Sequence, residues 1–138
     1  MRILAVDPGE KHLGIAISDP TGTIANPLTV IKHVARMVDA AAVAQIARDQ
    51  EAGLIVVGEA LDDEGEATPQ SRRAVRFAEA IQLQACLPVE LWDESGSTHA
   101  AREARIAMGV SRRKRRGHMD DLAATVILQT YLDAHFNE

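Results

Sequence analysis

The segment MRILAVDPGEKHLGIAISDP constrains the fold more than any other part of the chain. Two apolar, β-branched runs, Ile3 to Asp7 and Leu13 to Asp19, flank a Pro-Gly pair, the pattern of two strands joined by a tight turn. Both faces of the first run are apolar, with Ile3 and Ala5 on one side and Leu4 and Val6 on the other. That predicts a central strand covered on both faces. An aspartate ends this strand, and period-2 alternation puts Asp7 on the face of Ile3 and Ala5. It is either a solvated turn residue or a side chain held in place for chemistry.

The remaining elements follow from periodicity and punctuation. A third strand over 23–31 is interrupted at Asn26-Pro27, and a proline there favours an edge position or a kink. An alanine-rich helix spans 34–51 and ends at Gly53. LIVVG (54–58) lacks polar alternation, as a buried parallel strand does. After an acidic loop, Ala74, Phe77, Ala78, Ile81 and Ala85 repeat at helical spacing until Pro88. Strand VELWDE (89–94), a short helix near 98–108, a basic loop (109–118) and a helix over 121–136 complete the chain. Hairpin-linked strands followed by alternating helices and strands describe an α/β fold, a mixed sheet covered by helices on both faces. Its 138 residues fit one domain, 1–138.

Charge is segregated. Arg112, Arg113, Lys114, Arg115 and Arg116 hold five of the fifteen Lys and Arg residues, leaving ten against twenty acids elsewhere. A single cysteine, Cys86, permits no disulfide framework or thiolate metal cage within the chain, which fits a reducing cytosol. No secretory signal and no apolar run of membrane-spanning length are recognisable, so a cytoplasmic protein with no membrane partner is expected.

The carboxylates at element ends carry the chemistry. Asp120, continuing the last helix, shares a stripe with Ala124, Ile127 and Tyr131, the face that must pack on the sheet, whereas Asp121 falls beside Thr125 and Gln129. Asp120 also suits a helix N-cap, and the two roles are compatible. Alternation groups Asp93 with Val89 and Leu91, and Glu94 with Glu90 and Trp92, without deciding between them. Carboxylates gathered in one pocket repel each other unless a cation compensates. An oxygen-only donor set with no paired His or Cys matches Mg2+ or Mn2+ rather than zinc, and such ions assist phosphodiester cleavage. GVSRRKRRGHMDD sets five cations directly upstream of Asp120, a track for a polyphosphate backbone. With aromatics at 3%, contacts to backbone and shape should outweigh base stacking.

Taken together, VDPGEKHLGIAISD, the VVG strand, WDES-ST and GVSRRKRRGHMDDLAATVILQTYL resemble the YqgF family. These are ribonuclease-H-like proteins, relatives of Holliday-junction resolvases, regarded as nucleases for the small-subunit ribosomal RNA precursor. The resemblance implies a ribonuclease-H-like fold with a five-stranded mixed sheet and a metal-dependent nuclease site. Carried over by position, Asp7 matches the first-strand acid, Glu94 the acid of an Asp-Glu-Arg motif, and Asp120 the acid before the last helix. Asp93 becomes a supporting neighbour, and Lys11 with Arg112 to Arg116 become nucleic-acid contacts. Two departures stand out. Ser95 and Gly96 replace the family arginine and its continuation, leaving Arg102 or Arg105 to compensate. GEA follows the fourth strand where the family has Gly-Leu-Pro, which puts Glu59 near the strand-four acid of junction resolvases, a candidate extra ligand.

Three functions follow. The first is an Mg2+ or Mn2+ nuclease maturing the 16S rRNA precursor 5' end, with a Holliday-junction resolvase or DNA-repair nuclease as its variant on branched or single-stranded DNA. Symmetric junction cutting would call for a homodimer. The second is nucleotide binding of the actin-like kind, which needs two such domains where this chain supplies one. The third is a non-catalytic RNA-binding ribosome-assembly factor.

Overall fold

The computed structural model describes residues 1–61, 64–93 and 119–136, and the side chains of the last helix over 122–135. Strands β1 (Arg2–Pro8), β2 (His12–Ser18) and β3 (Ala25–Lys32) are followed by helix α1 (Arg36–Asp49), strand β4 (Ala52–Glu59), helix α2 (Pro69–Gln84), strand β5 (Val89–Asp93) and helix α3 (Met119–Phe136). The expected short helix near 98–108 and the basic loop fall outside the described residues. The five strands form one mixed sheet in the order β3-β2-β1-β4-β5, antiparallel through the first three and parallel through β1, β4 and β5.

The expected central position of β1 is borne out: Leu4, Ala5 and Val6 are fully buried between two cores. Leu4, Val6, Leu13, Ile15, Ile55 and Val57 pack against α1 and α2 through Val43, Ala47, Phe77 and Ile81. On the opposite face Ile3, Ala5, Ala16, Leu54 and Val56 pack against α3 through Ala124, Leu128, Tyr131 and Leu132. The proline-bearing strand is an edge as expected, and it carries an irregularity. Ile15 pairs with Thr29 but Ala16 with Pro27, so Leu28 is the extra residue of a bulge where the missing proline donor is tolerated.

Two boundaries differ from the sequence reading. Helix α1 ends at Asp49 rather than near Gly53, because Glu51 adopts a left-handed φ of 57° and Gly53 already belongs to β4. Glycine would hold that conformation without the Cβ strain of an L-residue. Glu51→Gly is therefore expected to raise stability by about 0.5–1 kcal/mol, read from a denaturant midpoint at unchanged slope. Helix α2 ends at Gln84 rather than running on to Pro88, so Cys86 lies just past it and is exposed. No described helix is long and apolar enough to cross a membrane.

Candidate active site

The two Asp-Pro pairs of the opening segment have different surroundings. Asp19 is a turn organiser. Its carboxylate accepts the backbone N–H groups of Ile24 and Thr23 and the Thr21 hydroxyl, and those bonds hold its pKa well below the usual carboxylate range. At the other pair the backbone itself closes the turn, Gly9 N–H donating to the His12 carbonyl at 3.0 Å. A Cβ at Gly9 would lie 2.4 Å from that carbonyl oxygen, so only glycine fits.

Asp7 sits at the carboxyl end of the central strand, half-buried and on the α3 face with Ile3 and Ala5. Its partner on β2 is Gly14. On β4 the register pairs Val6 with Val57, so the following pair sets Asp7 beside Gly58. Gly14 and Gly58 fall on the same face as Asp7, and neither places a side chain beside the carboxylate. Helix α3 reaches down to this gap. A Cβ on Gly58 would stand 2.5 Å from Ile127 Cδ1.

The stripe proposed for the last helix is the buried one: Ala124, Ile127 and Tyr131 are at most 5% exposed, while Thr125 and Gln129 are only half-buried. Helix α3 begins at Met119, which places Asp120 in its first turn. Strand β5 is tied to α3 by a polar and aromatic cluster that the sequence reading missed. Trp92 Nε1–H donates to Thr130 Oγ1 at 2.9 Å, and Thr130 passes its own hydroxyl hydrogen to the Ile127 carbonyl at 2.8 Å. Tyr131 donates its hydroxyl to Glu90, packs edge-on against Trp92 at 5.3 Å and stacks on His135 at 4.0 Å. Burial and the Glu90 carboxylate push the Tyr131 phenol pKa up. The signal was present in the sequence, since Glu90 and Trp92 share one strand face and Tyr131 lies on the buried helical stripe.

Glu59 and Asp93 are register partners at the carboxyl ends of β4 and β5. By alternation Glu59 follows Ile55 and Val57 on the α1/α2 face, across the sheet from Asp7. Burial, with the adjacent Asp93 charge second, raises the Glu59 pKa above its ordinary value. A carboxyl with a raised folded-state pKa favours the fold while protonated, and that benefit fades as pH rises through the unfolded and then the folded pKa. Glu59→Gln should therefore raise Tm at pH 7 and leave it unchanged near pH 3.5, read by thermal melts at both values. A gain of equal size at both pH values would discard this account.

Lys11 is exposed in the β1–β2 turn. The side chains of Glu94, Asp120 and Arg112 to Arg116 lie outside the described residues. Among the described residues no group of three or more His, Cys, Asp or Glu side chains is placed to hold a metal ion.

Residues 1–134 match the family model described as RuvX, Holliday junction resolvase. The chain belongs to the RuvX family. It is 40% identical over 139 residues to a Thermoanaerobacter pseudethanolicus protein named as a pre-16S rRNA nuclease, with all of both chains covered. A Syntrophus aciditrophicus protein of the same name is 40% identical over 97% of this chain and 89% of its own length. Among solved structures the fold resembles Thermus thermophilus RuvC in complex with a Holliday junction, with a TM-score of 0.61 at 21% identity over 97% of this chain and 94% of that one. The fowlpox virus Holliday junction resolvase gives a TM-score of 0.55 at 18% identity, covering 97% and 99%. These likenesses bear out the ribonuclease-H-like architecture expected of the RuvX family.

Proposed function

We propose that the chain is a divalent-metal-dependent nuclease that cleaves structured nucleic acid, with the 16S rRNA precursor as its substrate. The observation that carries this is the placement of Asp7: at the end of the central strand, on the face covered by α3, between two glycines. On that same face β5 presents Glu90 and Trp92, and the next acid in the sequence, Glu94, is the one the family motif assigns to the site. Asp120 lies in the first turn of α3, one turn ahead of the Ala124, Ile127 and Tyr131 stripe that packs against this face. Three acids from distant parts of the sequence would thus meet at one end of the sheet.

That donor set fits a hard cation, Mg2+ or Mn2+, since it offers only carboxylate oxygens and its charges need compensation. Such an ion, when bound, supplies positive charge to the scissile phosphate and acidity to an attacking water. The chain's own residues do the rest. Asp7, Glu94 and Asp120 hold the geometry, and Gly14 and Gly58 place no side chain beside Asp7. Glu59 and Asp93, the candidate extra acids, end neighbouring strands on the other face of the sheet. Lys11 and Arg112 to Arg116 neutralise backbone phosphates, a sequence-independent and salt-sensitive grip. The relatives' names support RNA as the substrate. The family description favours the second reading, cleavage of branched DNA.

The test is cleavage of an RNA carrying the 16S precursor 5' extension, beside a four-way DNA junction, in Mn2+ and in EDTA. RNA cleavage at a defined position in Mn2+ alone is expected. Binding of the RNA with no cleavage under any divalent ion would replace the nuclease with an assembly factor.

A further inference from the structure

On the α1/α2 side of the sheet, immediately behind the β1–β2 turn, lies a cleft of about 410 Å3 that the nuclease reading does not use. Its floor is apolar, from Leu13 and Phe77, both buried. Its walls carry Arg36 from the start of α1, Arg73 from the start of α2, and His33. We propose that this cleft holds a backbone phosphate of the nucleic-acid substrate, so that the bound strand wraps the hairpin tip from the Asp7 face to the opposite face of the sheet. The inference rests on the nucleic-acid reading above and extends its footprint.

Four observations carry it. Two guanidinium groups from different helices border one cavity, and guanidinium is the side chain whose fork matches phosphate oxygens. Among the described residues Arg73 pairs with Glu10 at 3.5 Å, a contact between a half-exposed and an exposed side chain that is weak enough for a phosphate to displace. The remaining acid, Asp39, is 3% exposed and already engaged. It lines the cleft, but its carboxylate already contacts His33 Nδ1 and accepts the Val34 N–H at 3.0 Å. Finally, the cleft borders a cationic edge. His33 N–H donates to the Lys11 carbonyl at 2.9 Å and Lys32 pairs with His12, which brings Lys11, Lys32, Arg36 and Arg73 to the end of the sheet where Asp7 lies. Arg2 and Arg48, by contrast, belong to the far end, where Arg2 bonds the Gln50 carbonyl.

The test is fluorescence anisotropy of a labelled single-stranded RNA with the full chain in EDTA, so that binding is read without cleavage. The proteins compared are the unaltered chain, Arg36→Gln, Arg73→Gln and Arg48→Gln. Arg36→Gln and Arg73→Gln are each expected to weaken binding about five- to tenfold. Each should also lower the slope of log K against log salt by about 0.7, one phosphate on a single strand. Arg48→Gln, which removes the same charge elsewhere, should do neither. Equal behaviour of all three variants would overturn the proposal. A separate titration with AMP identifies a free phosphate monoester: AMP binding lost in Arg36→Gln while RNA affinity holds would also overturn the strand path. Because the measurement needs no metal, an unaltered chain that binds RNA as described but never cuts it would sink the nuclease reading and leave this one standing.

Discussion

Asp7→Asn is expected to lower Mn2+-dependent cleavage on the order of 10³-fold, a loss that corresponds to several kcal/mol of transition-state stabilisation. The fold should survive, because asparagine is nearly isosteric and Asp7 is half-buried at a strand end. A second readout separates metal binding from general damage. Mn2+ should raise the Tm of the unaltered chain by mass action on the folded state, and this rise should shrink or vanish in Asp7→Asn. Undiminished turnover in the variant would remove Asp7 from the site. Lost turnover with a full Mn2+-induced Tm rise would mean that Asp7 acts without holding the ion.

The second large effect is steric. At Gly58 α3 packs directly on β4, and a methyl group there would meet Ile127 Cδ1 at 2.5 Å in a position where Ile127 is 1% exposed. Gly58→Ala should cost about 1–3 kcal/mol by overpacking, and Gly58→Val more. Ile127→Val removes the clashing carbon, at about 0.5–1.5 kcal/mol on its own. In combination with Gly58→Ala it should cost less than the sum of the two, a coupling that denaturant unfolding of the double-mutant cycle measures. Additive costs would show that the backbone, not Ile127, resists the added methyl. Cleavage should fall along with stability, since the displaced helix is the one whose first turn carries Asp120.

Much of this architecture is legible in the residues. The fully apolar β1 announces a strand covered on both sides, and Asn26-Pro27 announces an edge. Ala124, Ile127 and Tyr131 announce the face of α3 that meets the sheet. What alternation alone could not settle was which of Asp93 and Glu94 faces Asp7, because strand parity has no sign until one residue is anchored. Trp92 supplies an anchor for β5 by packing on α3, which sets Asp93 on the other face, while Glu94 lies outside the described residues. The end of α1 was misread because Gly53 looks like a helix stop, whereas the chain turns two residues earlier at Glu51, a residue with no intrinsic preference for that conformation. The cleft was invisible for a different reason. Arg36 and Arg73 are ordinary helix-surface residues until the layers bring them to one cavity beside the turn.

The bracing of β5 against α3 through Trp92, Thr130, Tyr131 and Glu90 has a bearing on how such a protein can change its target. In sequence order the brace flanks the stretch 94–118, which begins at one proposed acid, carries the five-residue basic run and leads to the other. Positions on either side are clamped to each other independently of what lies between them. Insertions, deletions or charge changes within 95–118 are therefore expected to leave the docking of β5 on α3, and with it the sheet face that carries Asp7, in place.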